Sequence, residues 1–91
     1  MSKLNLAQIK TALAATPRWK KKGATISRLY QCKDFPAAIK FVNAVARLAE
    51  KVCHHPDIDI RWNKVVLTLT THDAGGLTEK DFALAQQFDR L

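Results

Sequence analysis

The spacing of apolar positions changes repeatedly along the chain, and each change predicts an element. In NLAQIKTALAATP, Leu6, Ile9, Ala12 and Leu13 fall on one stripe, which predicts a first helix ended by Pro17. In RWKKKGATISRLYQC, Gly23 marks a turn, and the β-branched and aromatic residues of ATISRLYQC partly alternate. This pattern predicts a hairpin. Ala38, Phe41, Val42, Val45, Leu48, Ala49 and Val52 then recur at helical spacing over 36–53 and form one broad apolar face. Asp34 is the natural N-cap of this second helix, with Pro36 in its first turn. Pro56 forbids continuation, so the helix should stop near His54.

A second hairpin follows in DIDIRWNKVVLTLTT. Ile58, Ile60 and Trp62 alternate with Asp57, Asp59 and Arg61, as in a strand buried on one side. A two-residue turn at Asn63-Lys64 would pair Trp62 with Val65, Ile60 with Leu67 and Ile58 with Leu69. Those six residues would make one apolar face. The stretch AGG then breaks the chain, and Thr78 to Asp81 reads as a capping-box variant opening a last helix with Phe82, Ala85 and Phe88 inward. The expected order is α-β-β-α-β-β-α. It describes an α+β fold, a four-stranded antiparallel sheet with three helices packed on one face. All of 1–91 is expected to form one domain.

Composition narrows the picture without naming a function. Ninety-one residues leave no room for two cores, and 47% hydrophobic with 25% charged residues is ordinary for a globular domain. No apolar run is long enough to span a bilayer, and the opening MSKLNLAQIK has no secretory h-region. Cys32 and Cys53 form no C-x-x-C and read as free thiols in a reducing compartment. The chain is therefore expected to be cytoplasmic. Net charge is +7, and four of the fifteen basic residues lie in RWKKKG. Such a patch can hold a phosphate backbone, but no reading helix or RNP-like strand accompanies it. A solvated turn is the simpler reading, and nucleic-acid binding is not expected.

The three histidines change the picture more. His54 and His55 stand side by side before Pro56, and His72 follows seventeen residues after His55. Extending the expected register by two residues sets His55 opposite His72. Glu50, four residues before His54, could stack on that imidazole if the helix lasts so far. Three imidazoles then converge where a helix C-terminus meets a hairpin mouth. General acid–base chemistry on a small substrate fits, because imidazole both gives and takes a proton near neutral pH. A three-histidine metal site fits poorly, since adjacent extended residues point to opposite sides and no H-x-H or H-x-x-x-H pair exists. A bland reading also stands: polar strand ends that happen to be histidine. Asp81 could simply cap its helix, and Glu50 could pair within its own helix. Trp62 reads as core, and Trp19 as either a stacking platform or a brace for the first hairpin. A Cys53–His54 nucleophile is disfavoured because adjacent side chains rarely align for proton transfer.

The stretch AEKVCHHPDI…W…VVLTLTTHDAGGLTEKD resembles the pterin-4a-carbinolamine dehydratase family. The signature falls on Glu50, His54, His55, Pro56, Trp62, His72 and Asp81, and an upstream pattern on Phe35, Ala38, Phe41, Asn43, Val45, Ala46, Leu48 and Ala49. The resemblance covers roughly 17 to 90. It implies a hydro-lyase that removes water from a 4a-hydroxytetrahydropterin to give a quinonoid dihydropterin, so recycling the cofactor of aromatic amino acid hydroxylases. It implies no metal and no bound cofactor, the pterin being substrate. It also implies a homodimer or homotetramer, formed by joining sheets edge to edge or by packing helices. Carried over, His54 and His72 would be the acid–base pair. His55 and Pro56 would help hold the pterin, and Glu50 and Asp81 would orient imidazoles or bind the ring. Ile58 stands where the family commonly has an aromatic, and Cys53 where it is often polar or acidic. The alternative within the same resemblance is a non-catalytic dimerising co-regulator or assembly protein.

Overall fold

A computed structural model of the chain describes residues 2–91. The elements are α1 (Leu6–Ala15), β1 (Lys20–Lys22), β2 (Thr25–Gln31), α2 (Phe35–Val52), β3 (Asp57–Arg61), β4 (Lys64–Leu69), a 3₁₀ turn (His72–Ala74) and α3 (Glu79–Phe88). Their order is the expected one, and the four strands form one antiparallel sheet in the order β1-β2-β4-β3.

Local chemistry accounts for most boundaries. The Asn5 side chain accepts the Gln8 N–H at 2.8 Å while Gln8 Oε1 accepts the Asn5 N–H at 2.9 Å, a reciprocal cap that starts α1. Asp34 accepts the Ala37 N–H at 2.9 Å to start α2, with a proline in its first turn, as expected. One stripe residue of α1 departs from expectation. Leu6 is 77% exposed, and Ile9 carries the burial of that helix.

The sheet buries one face. Ile26 of β2 and Val65, Leu67 and Leu69 of β4 are fully buried there, packed with Ala38, Val45 and Ala49 of α2 and Phe82, Leu84, Ala85 and Phe88 of α3. Each large side chain so buried contributes roughly 1.5–3 kcal/mol. Beside this core, Trp19 is 3% exposed and its indole N–H donates to Asp89, which also accepts from Arg28 and Tyr30. Burial, then the bond to Asp89, pushes the Tyr30 phenol up from its ordinary 10.0. Trp19 is thus a buried brace that ties the end of α3 to the sheet, not an exposed platform.

The second hairpin differs from its expected register. Ile60 faces Val65, Ile58 faces Leu67 and Arg61 faces Lys64, so the turn is Trp62-Asn63. The cause lies outside the hairpin. Asn63 is buried, its Nδ2 donates to the Cys32 carbonyl at 2.9 Å, and its own carbonyl accepts the Cys32 N–H at 2.7 Å. These bonds hold Asn63 in the turn, and Trp62 takes the left-handed conformation at φ 55°. Trp62 is 70% exposed, so its place is the turn and not the core. The slip preserves parity, and Ile58 and Ile60 stay on the helix-facing side. They lie on the edge strand, where they remain 39% and 36% exposed.

Candidate active site

The end of α2 sets the site. Cys53 adopts φ 54° and ψ 39°. Its N–H donates to the Glu50 carbonyl at 3.3 Å and the His54 N–H to the Ala49 carbonyl at 3.2 Å. These two bonds around a left-handed residue make a Schellman stop, which usually employs glycine. The reversal sends two adjacent histidines to different carboxylates. His54 Nε2 meets Asp81 Oδ1 at 2.6 Å, and His55 Nε2 meets Glu50 Oε2 at 3.0 Å. The expected Glu50–His54 stacking is therefore corrected: the helix ends before His54, and Glu50 reaches His55.

Asp81 has two tasks. It is wholly buried and closes the capping box of α3, its Oδ2 accepting the Thr78 N–H at 2.9 Å. The same oxygen accepts the Thr71 hydroxyl at 2.8 Å, while Oδ1 takes the His54 N–H. Thr71 Oγ1 also lies 2.9 Å from Thr78 Oγ1. A carboxylate can only accept, so the Thr71 proton points to Asp81 and the Thr78 hydroxyl must donate to Thr71. The proton order of the network is thereby defined, and it fixes the His54 tautomer with its hydrogen on Nε2. A buried carboxylate with every bond charge-assisted or capped holds its partner in one orientation.

His72 is not on a strand facing His55, as the extended register expected. Pairing of β3 with β4 ends at Asp57 and Thr68. Thr71 instead bridges to Gly76, with N–H to carbonyl distances of 3.2 and 3.3 Å, and His72 opens the 3₁₀ turn. Gly75, at φ 75°, closes that turn by donating to the His72 carbonyl at 3.0 Å. All three imidazoles nonetheless line one cavity of about 290 Å³, together with Cys53, Thr70, Thr71, Asp73 and Lys80. Glu50 and Asp81, bonded to His55 and His54, are not part of that lining. Pro56 precedes β3 and does not line the cavity either.

Thr71 and Lys80 were not anticipated. Thr71 bonds residues seven and ten positions away through a loop whose path no periodicity reports. Lys80, beside Asp81 on the first turn of a capped helix, could have been placed at the rim from the helix phase alone. Among the described residues, no three His, Cys, Asp or Glu side chains are grouped closely enough to ligate one ion. Nor is any helix long and apolar enough to cross a membrane.

Comparison with known proteins matches the sequence and the fold to a family. The family model described as pterin 4 alpha carbinolamine dehydratase matches residues 2–91. A provisionally named pterin-4-alpha-carbinolamine dehydratase of Chloroflexus aurantiacus is 56% identical over 91 residues, 100% of this chain and 98% of that one. One of Roseiflexus sp. is 53% identical over 90 residues, 99% and 97% of the two chains. Among solved structures, a transcriptional coactivator/pterin dehydratase from Brucella melitensis superposes with a TM-score of 0.93 at 34% identity, covering 98% of this chain and 97% of that one. A pterin dehydratase-like protein identified as a RuBisCO assembly factor in the alpha-carboxysome shares the fold, with a TM-score of 0.65 at 24% identity over 80% and 84% of the two chains. With a family model matched over residues 2–91, whole-chain identity above half and a fold shared almost end to end, the chain belongs to the pterin-4a-carbinolamine dehydratase family.

Proposed function

We propose that this chain dehydrates a 4a-hydroxytetrahydropterin to the quinonoid dihydropterin and water, through His54 and His72 acting as an acid–base pair. The observation that carries this is the convergence of three imidazoles on one cavity, two of them held by carboxylates, in a member of this family. The reaction balances with protons alone. One imidazolium protonates the 4a-hydroxyl, the C4a–O bond breaks and water leaves. The lone pair of the adjacent ring nitrogen forms the new C=N bond, and its N–H proton passes to the other imidazole. No metal or cofactor is required by this balance. A positioned acid or base is worth ~10²–10⁴ in rate.

The cavity lies at the small end of ligand sites and suits one flat heterocycle. His55, 60% exposed and tied to a still more open Glu50, suits substrate holding better than proton transfer. The physiological setting that follows is recycling of the pterin used by an aromatic amino acid hydroxylase. Self-association is part of the same proposal. The β3 edge presents Ile58 and Ile60 beside unpaired backbone groups, whereas β1 at the other edge is all lysine. Light scattering reads this directly, and a monomer at all concentrations refutes it. For the reaction, the test is the absorbance decay of freshly generated 4a-hydroxytetrahydropterin with wild type and His72→Ala. Acceleration by wild type and its loss in the variant support dehydration. Absence of acceleration by wild type favours the co-regulator alternative.

A further inference from the structure

A second and larger cavity lies on the far side of the loop that carries His72. Its volume is about 550 Å³, within the range of small-molecule sites. Leu4, Ile9 and Leu77 give it an apolar floor, and the last two are almost wholly buried. Among the described residues, Lys3 and Lys21 are the only charged ones that line it. Neither takes part in an ion pair among the described residues. The neighbouring Lys20 and Lys22 add to the positive field at this edge. The stem of Lys3 rests against Gly76, where a Cβ would come within 2.7 Å of the lysine Cδ. Glycine at 76 thus lets a cationic side chain lie along the wall.

The wall itself is shared. Gly75 and Gly76 line the large cavity, while Thr71, His72 and Asp73 of the same loop line the histidine cavity. Thr71 and Gly76 are joined by two backbone hydrogen bonds, and Thr71 holds the buried carboxylate of Asp81. An occupant pressing on 75–76 therefore bears on the segment that positions His72 and on one bond to Asp81.

We propose that this cavity binds a small apolar monoanion, such as an aromatic carboxylate, and that its occupancy is transmitted to His72. The binding half does not depend on the dehydratase proposal. The test is a titration of the ¹⁵N-labelled full chain with 3-phenylpropionate, followed by NMR, with 3-phenylpropanol as the uncharged control. Expected are saturable shifts of the Gly23, Ala24, Gly75 and Gly76 amides, with the His72 ring shifting on the same curve. Lys21→Glu should weaken binding roughly ten-fold, as should removal of the ligand's charge. Leu6→Asp places a carboxylate at the mouth from an exposed position, so it should fold and should also weaken binding. Shifts confined to His54, His55 and His72 would mean that the anion enters the other cavity and would overturn the proposal. So would equal affinity for the alcohol, indifference to Lys21→Glu, a silent His72 ring, or shifts that follow protein concentration without ligand, which would put a second copy there.

Discussion

Two histidine–carboxylate pairs lie within a few residues of each other and behave as different devices. In His54–Asp81 the side chains are 13% and 0% exposed, and the carboxylate has further bonds from Thr71 and Thr78. In His55–Glu50 they are 60% and 81% exposed, and among the described residues no third side chain joins them. The distances differ by only 0.4 Å, since the bonds measure 2.6 and 3.0 Å. Surroundings, not separation, set them apart. A buried pair loses little to solvent screening and strands a charge if broken, whereas an open pair competes with water and salt. Orientation of one imidazole is therefore built into the fold, while the other remains free to adjust.

That contrast can be broken most severely at Asp81. Asp81→Ala removes one half of the capping box of α3 and the partner of His54 together, and should cost ~3–5 kcal/mol in urea unfolding. Thr71→Val tests whether the network and not the pair alone holds His54. It leaves the Thr78 hydroxyl without its acceptor and should cost ~1–3 kcal/mol. Cys53→Gly addresses the turn that separates the two histidines. It should raise stability by about 1 kcal/mol, because glycine adopts the left-handed conformation without the Cβ penalty. Glu50→Gln should change stability by less than ~1 kcal/mol, and any loss should disappear at high salt. A Glu50 effect as large as that of Asp81 would erase the distinction.

The positions of the capped helices were legible because their signals are local. Asp34 with Pro36 and Thr78 with Asp81 act within one turn, and each starts a helix where expected. The Asn5–Gln8 cap is equally local and would have been found by the same search. What escaped depends on distant partners. The hairpin register turns on Asn63, whose partner Cys32 is 31 residues away. The choice of Glu50 for His55 follows from a left-handed cysteine, a conformation that its residue type does not announce. The convergence of His54, His55 and His72 was visible in outline. It survived an incorrect register because the Thr71–Gly76 bridge and its 3₁₀ turn bring His72 to the same cavity by another path.

The central claim is that the buried imidazole transfers a proton and the open one holds substrate. Stopped-flow decay of 4a-hydroxytetrahydropterin with wild type, His54→Gln and His55→Gln tests it most directly. Glutamine at 54 keeps an N–H donor for Asp81 but cannot relay a proton. The account predicts that wild type accelerates the decay, that His54→Gln lowers kcat by ~10²-fold or more, and that His55→Gln acts mainly by raising KM. Equal kcat losses in the two variants, or no acceleration by wild type, would contradict it.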